Sequence, residues 1–308
     1  MKAIMYHYVR PKENFLFNFR YLDINKFKKQ LDYFESKYGF ATHEEFGELI
    51  YNGIIPDKKN KILLTFDDGL KDHYDYVYKE LKKRNLFGIF YIPTAPLSQD
   101  KILDVHKIHL ICSKISEKKI LKDLLSLIDE RMIVKSRIED FNNKLYLNQK
   151  NSIELETIKK LLNYFLSIKY KSLIINKLYT SYDINYKVKD IYLNNFEIKD
   201  MSKNGMIIGS HTVNHPVLST LEREDQEKEI LVSSSYLESL VDQKYKTMCF
   251  PYGGSHSYNF DTIDILKKNN FNFAFSVESK NIIKENICNS IFELPRYDCN
   301  EFNFGQNE

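Results

Sequence analysis

The chain has 308 residues, 43% hydrophobic and 28% charged, a balance that excludes a disordered polypeptide and fits one large α/β unit or two domains. Forty-five Lys and Arg against 42 Asp and Glu leave a net charge of +3, which argues against a nucleic-acid binder driven by phosphate neutralisation. His7, Arg10, Lys12 and Glu13 interrupt any leader-like apolar run of ~7–15 residues, and no run of ~18 apolar residues suggests a transmembrane segment. The cysteines Cys112, Cys249, Cys288 and Cys299 form no C-x-x-C pair, so the expectation is a cytoplasmic protein with reduced thiols.

In chain order, residues 2–8 read as a short strand ending in polar and aromatic residues. Phe27, Leu31, Tyr33 and Phe34 recur at helical spacing and predict an amphipathic helix over 23–38. Lys61 to Phe66 is a continuous apolar run, as in a strand buried on both faces, and it stops at the turn signal Asp67-Asp68-Gly69. A helix over 74–85 and a strand over 87–92 complete a βαβ unit. The later part repeats this grammar: helix 196–204 stopped by Gly205, strand 206–209, helix 223–242, strand 247–250, helix 261–269 and strand 271–277, with Glu293 to Asp298 closing the series. Alternation of this length favours a parallel (β/α) barrel or a doubly wound sheet. Residues 100–195 differ: they hold no Gly and little strand pattern, with helical windows at 116–131 and 153–178. The expected division is a barrel of 1–99 and 196–308 with a helical insertion at 100–195, whose role the sequence leaves open.

Three predicted strands end in unusual polar residues: Thr65-Phe66-Asp67-Asp68-Gly69, His211-Thr212-Val213-Asn214-His215, and Phe250-Pro251-Tyr252-Gly253-Gly254. Adjacent carboxylates at the end of a buried strand are costly unless something cationic meets them. His211 and His215 are spaced i, i+4, which would place both imidazoles on one side of a helical turn. Two imidazoles and one carboxylate suit Zn²⁺, Fe²⁺, Co²⁺ or similar ions, with coordination positions left for water. A lone HxxxH or a lone Asp-Asp-Gly is a weak signal. Their conjunction at strand ends that would share one face of a sheet is a stronger one. Among the other histidines, His73 reads as the first turn of a helix, His43 as surface and His256 as a loop residue near Tyr252. His106 and His109 open the insertion, either packed or reaching toward substrate.

These residues resemble the polysaccharide deacetylase family, the NodB-homology enzymes of carbohydrate esterase family 4. Thr65-Phe66-Asp67-Asp68-Gly69 matches its first motif, His211 to His215 its second, and Phe250-Pro251-Tyr252-Gly253 resembles its third. The resemblance covers about residues 1–98 and 200–300. It implies a distorted (β/α)7 barrel of the NodB type and metal-dependent removal of an acetyl group from an acetylated sugar or glycan precursor. Asp68, His211 and His215 would hold the metal, usually Zn²⁺, with Co²⁺, Ni²⁺, Mn²⁺ or Fe²⁺ as other divalent candidates. Asp67 would be the general base, and Tyr252, beside Pro251, would hold the oxyanion through its backbone N–H. Two features depart from the pattern: Lys246-Thr247-Met248-Cys249-Phe250 holds no arginine ahead of Pro251, and no histidine follows His256. A circularly permuted subgroup opens with a Tyr-His motif, which Met5-Tyr6-His7-Tyr8 resembles. His7 is therefore the candidate general acid, and Arg296 the candidate to replace the missing arginine beside Asp67. Competing readings are a hydrolase of a non-sugar amide on the same fold and a catalytically degenerate sugar-binding protein. Two His and one carboxylate also serve iron oxygenases. Asp67 and the Pro-Tyr-Gly element tilt the reading to hydrolysis.

Overall fold

A computed structural model describes residues 1–12, 20–55, 60–142, 145 and 151–306. The chain divides into two compact units, one of residues 1–12, 20–101 and 188–306, the other of residues 102–187.

The first unit is built on a seven-stranded sheet: β1 (Lys2–Tyr6), β2 (Ile62–Phe66), β3 (Ile89–Ile92), β4 (Ile207–Ser210), β5 (Thr247–Cys249), β6 (Phe273–Phe275) and β7 (Tyr297–Asp298). The order is β6-β5-β4-β3-β2-β1-β7, and every pairing is parallel. The sheet is curled, and its two ends are bridged by one stretch of chain. Leu294 N–H donates to the Ala274 carbonyl at 2.9 Å and the Leu294 carbonyl accepts from Ser276 at 2.9 Å, while Tyr297, three residues on, pairs with Ile4 of β1. Of the barrel and the doubly wound sheet that the alternation leaves open, the architecture is the barrel-like α/β fold that the family resemblance implies.

The strands are short and covered on both faces: every residue of β2, β3, β4, β5 and β6 is buried. Phe66 stacks on Tyr6 at 5.2 Å and on Phe90 at 4.7 Å between ring centroids, so aromatic packing ties β1, β2 and β3 on one face. Helices α1 (Ile24–Lys37), α2 (His43–Asn52), α3 (Asn195–Lys203), α4 (Arg223–Leu240) and α5 (Phe260–Lys268) carry apolar faces and defined ends. Thr42 with Glu45 and Asn194 with Glu197 form reciprocal capping boxes at the starts of α2 and α3. Gly205 then turns with φ +86°, where a side chain would be strained, and the chain enters β4. Between β2 and β3 the helix begins as a wide π stretch, His73–Tyr78, before the α turn Lys79–Lys83. Among the described residues no helix is long and apolar enough to cross a membrane.

Two local expectations fail. His43 is not a free surface residue: it is half-buried and stacks on Phe87, which leads into β3, with centroids 4.0 Å apart. The second concerns the other unit, a set of helices that includes Asp104–Lys114, Glu117–Leu127, Ile153–Lys160 and Ile168–Ser181. The window 153–178 is not one helix. Leu166 and Ser167 take extended backbone angles, because Phe165 and Ser167 bond instead to the strand-like stretch 132–134, with Val134 N–H to Phe165 O at 2.9 Å and Ser167 N–H to Met132 O at 2.8 Å. Tertiary pairing outweighs the helical period there. His106 is buried in the first of these helices, its ring 5.9 Å from that of His109.

Candidate metal and catalytic site

All strands are parallel, so their C-terminal ends lie at one rim, the edge at which α/β folds place their sites. Asp67 and Asp68 follow β2, His211 and His215 follow β4, Pro251 and Tyr252 follow β5, and His7 follows β1, whereas Arg296 comes not from a strand end but from the stretch just before β7 and reaches the site through its long side chain. The rim joins residues that are far apart in the chain.

Asp68 turns out of β2 with φ +78°, a left-handed backbone that Asp tolerates better than most residues, and Gly69 continues it at +59°. That turn sends the two neighbouring carboxylates to different partners. Asp68 Oδ1 stands 3.5 Å from His211 Nε2 and 3.3 Å from His215 Nε2. One ligand atom from each of these three buried residues lies within 4.8 Å of the others, a spacing that suits a single shared cation. The ring of His211 has its orientation set from behind. Its Nδ1 is 2.7 Å from the Cys249 carbonyl, which only accepts, so Nδ1 carries a proton and Nε2 is the nitrogen turned to the cluster. The donor chemistry therefore fits a divalent transition metal.

The two histidines do not sit on a helical turn, contrary to the i, i+4 expectation. Residues 211–215 form a bent loop in which Thr212 and His215 have φ of +65° and +58°. The Thr212 hydroxyl holds this bend: it donates to the His211 carbonyl at 2.5 Å and accepts from the His215 N–H at 3.0 Å. The imidazoles converge at 4.7 Å between centroids, and the Tyr252 ring lies 5.1 Å from His215. Tyr252 is itself left-handed, at +64°. Gly253 follows at +69°, where an added Cβ would overlap Val277, so only glycine fits that turn.

Asp67 faces the other way. Arg296, fully buried, grips it bidentately, Nη1 to Oδ1 and Nη2 to Oδ2 at 2.8 Å each. The remaining donors of the guanidinium are also used, Nη1 to Thr65 Oγ1 at 3.1 Å and Nε to the Ser276 carbonyl at 3.1 Å. Burial pushes the Asp67 carboxyl up, but the charges of Arg296 and His211, the Arg296 hydrogen bonds and His7 outweigh it, so its pKa falls below the usual carboxylate value. Arg296 Nη2 also lies 2.6 Å from the sulfur of Cys249, which is 3.4 Å from Asp67. Asp67, His211 and Cys249 make a second cluster of possible ligands. A guanidinium already supplies the positive charge on that side, so Asp68, His211 and His215 are the better set for a cation.

His7 is half-buried, and its carbonyl lies 2.9 Å from His73 Nε2. His73 is fully buried against Phe66 and Phe90, and burial lowers its pKa to about 4, so it is neutral and donates through Nε2–H. Thr65, Cys249, His73 and Glu229, which reaches the 211–215 loop from α4, all support the site; the first three were named in the sequence without these roles, and Glu229 was not named at all. A stretch read for its missing arginine hid Cys249. Glu229 has no local signature that a motif could reveal.

Residues 179–286 match the family model described as polysaccharide deacetylase. Solved structures share the fold. They include the Streptococcus pyogenes deacetylase PplD in complex with acetate, 18% identical with a TM-score of 0.59 over 97% of this chain and 91% of that one. IcaB from Ammonifex degensii is 16% identical with a TM-score of 0.57, covering 96% of this chain and 90% of its own. A de-N-acetylase from Aggregatibacter actinomycetemcomitans is 15% identical, also at 0.57, covering 100% and 96%. None of the curated protein sequences matches the chain. The chain thus resembles the polysaccharide deacetylase family, in sequence over 179–286 and in fold over nearly its whole length.

Proposed function

We propose that this protein is a metal-dependent hydrolase that removes the acetyl group of an N-acetylated sugar or glycan precursor. One observation carries the reading: a buried Asp-His-His ligand set stands beside a second carboxylate, Asp67, which is held ionised and apart from it. Asp68, His211 and His215 hold the cation, Zn²⁺ or another divalent transition metal. When bound, such a cation supplies Lewis-acid polarisation and acidifies water.

The protein's own groups do the rest. Asp67 takes a proton from the attacking water. Arg296 occupies one lone-pair direction on each of its oxygens and the Cys249 thiol meets Oδ2 as well, so Oδ1 is the oxygen assigned to take the proton. The Tyr252 backbone N–H, in the turn after Pro251, faces the developing oxyanion, a contact that can contribute ~3 kcal/mol. His7 hands a proton to the departing amine, and the products are an amino sugar and acetate.

The test measures acetate release from N-acetylated sugars together with bound metal. Asp67→Asn should retain metal yet lose about 10²–10⁴-fold in kcat. Acetate release at the wild-type rate would refute the base assignment. His211→Ala should lose metal and activity together. His7→Ala should lower kcat with metal retained, and a loss of metal instead would place His7 among the ligands. Activity that survives complete removal of metal by a chelator would refute the mechanism.

A further inference from the structure

The loop that carries both histidines is gripped from outside by one face of α4. Glu229 Oε2 accepts the backbone N–H groups of Val213 at 2.9 Å and Asn214 at 2.8 Å, and Oε1 accepts the Asn214 side-chain amide at 2.7 Å. Four residues on, and therefore on the same face, the Ser233 hydroxyl pairs with Ser210, the residue before His211, at 2.9 Å. The opposite edge of the loop is also taken: the carbonyls of Thr212 and Val213 accept from Thr94 at 3.1 Å and Ala95 at 3.0 Å. Lys101 Nζ donates to the Asn214 side-chain oxygen at 3.1 Å.

The geometry explains why an acid stands at 229. With Thr212 and His215 both at positive φ, the N–H groups of Val213 and Asn214 converge on one point and cannot join the sheet. Successive convergent amides form a concavity for an anion. A glutamine would turn at most one oxygen to these three donors and bring a further N–H₂ toward them.

We propose that Glu229 is a positioning residue for the metal site: its carboxylate fixes the turn between the two histidines and so sets His215 against Asp68 and His211. The inference rests on the reading that these three residues hold a divalent cation. It goes beyond the ligands themselves, because Glu229 touches neither the cation position nor the reacting atoms.

The full-length wild type, Glu229→Gln and Glu229→Asp are to be compared by Zn²⁺ affinity, measured in competition with a chelator, and by amide hydrogen exchange without metal. Glu229→Gln should bind Zn²⁺ about 10–100-fold more weakly, the usual effect of removing a partner that orients a ligand. Exchange should quicken at 211–215 while β2 and β3 keep their protection. Glu229→Asp keeps the charge on a shorter arm and should lie between, and it carries the comparison if the glutamine variant does not fold. Zn²⁺ affinity within twofold of wild type in both variants overturns the inference, as does unchanged exchange of the loop. If the wild type binds no Zn²⁺, the proposed function fails. Loop exchange then decides separately whether Glu229 positions the turn.

Discussion

Asp67 and Asp68 are chain neighbours with opposite surroundings, and the division of labour follows from that. Arg296 is the group that keeps Asp67 ionised in a buried place. Arg296→Met should leave a buried carboxylate without its cation and cost about 3–5 kcal/mol, readable in urea unfolding at pH 7. Any residual activity should also have its acid limb moved to higher pH, since the charge that depresses the Asp67 pKa is gone. An unmoved limb would show that Asp67 is not the titrating base. His73 gives the fold a pH dependence of its own. Its pKa is about 4 in the fold against 6.5 ordinarily, so the unfolded chain binds this proton more readily. The stability it contributes is therefore complete above pH 6.5 and is lost as pH falls toward 4, about 3 kcal/mol in all. His73→Phe should flatten that part of the curve of unfolding free energy against pH, and equal slopes for variant and wild type would contradict the assignment. At this scale much was legible. Asp67, Asp68, His211 and His215 stand out because carboxylates and histidines at the ends of apolar runs demand partners, whereas Arg296 was reached only as the candidate for an arginine that the family resemblance leaves missing. Cys249 and His73 do not stand out, because a thiol and an imidazole inside apolar sequence look like packing.

Elements place these side chains, and there the sequence was legible in its periods but not in its turns. The apolar runs marked the strands, yet β6 is only Phe273–Phe275 where a longer strand was expected. The bend at 211–215 was misread as helical because nothing in Thr212-Val213-Asn214 announces two left-handed residues. Side-chain hydrogen bonds and the grip of α4 impose them. Close packing within the sheet makes a further prediction. Gly209 of β4 lies against Tyr91 of β3, whose hydroxyl is 3.1 Å from Thr247 Oγ1 of β5, and an added Cβ would overlap the tyrosine ring. Gly209→Ala should cost about 1–3 kcal/mol by overpacking, measured as a lowered urea midpoint. A truncated partner, Tyr91→Leu, should recover part of that loss in a double-mutant cycle, whereas strict additivity would mean that the two sites do not touch.

On the scale of the molecule, alternation of strand and helix was enough to expect a parallel sheet, and the family resemblance was needed to expect a barrel rather than a doubly wound one. Neither was enough to show how the curl is bridged. The stretch 294–298 does this with hardly any strand length of its own, Leu294 against β6 and Tyr297 against β1. The sequence marks 293–298 as the close of the series, but its brevity gives no sign that it pairs with both ends of the sheet. Leu294 is fully buried at this junction, and Leu294→Ala should lower stability by about 2–5 kcal/mol while leaving the metal ligands in place. Loss of stability with metal affinity intact is the expected pair of readouts. Unchanged stability would mean that the junction is not part of the core.

The guanidinium that grips Asp67 belongs to this same bridging stretch, 229 residues further along the chain than the carboxylate it holds. Asp67, Asp68, His211 and His215 are therefore all synthesised before the arginine arrives. Until then the aspartate must stay hydrated and outside any dry interior, since a bare carboxylate cannot be interred alone. If Asp68, His211 and His215 hold a cation as proposed, closing the curl of the sheet and pairing Asp67 with its arginine become one late event in the making of each molecule, after every ligand is already present along the chain.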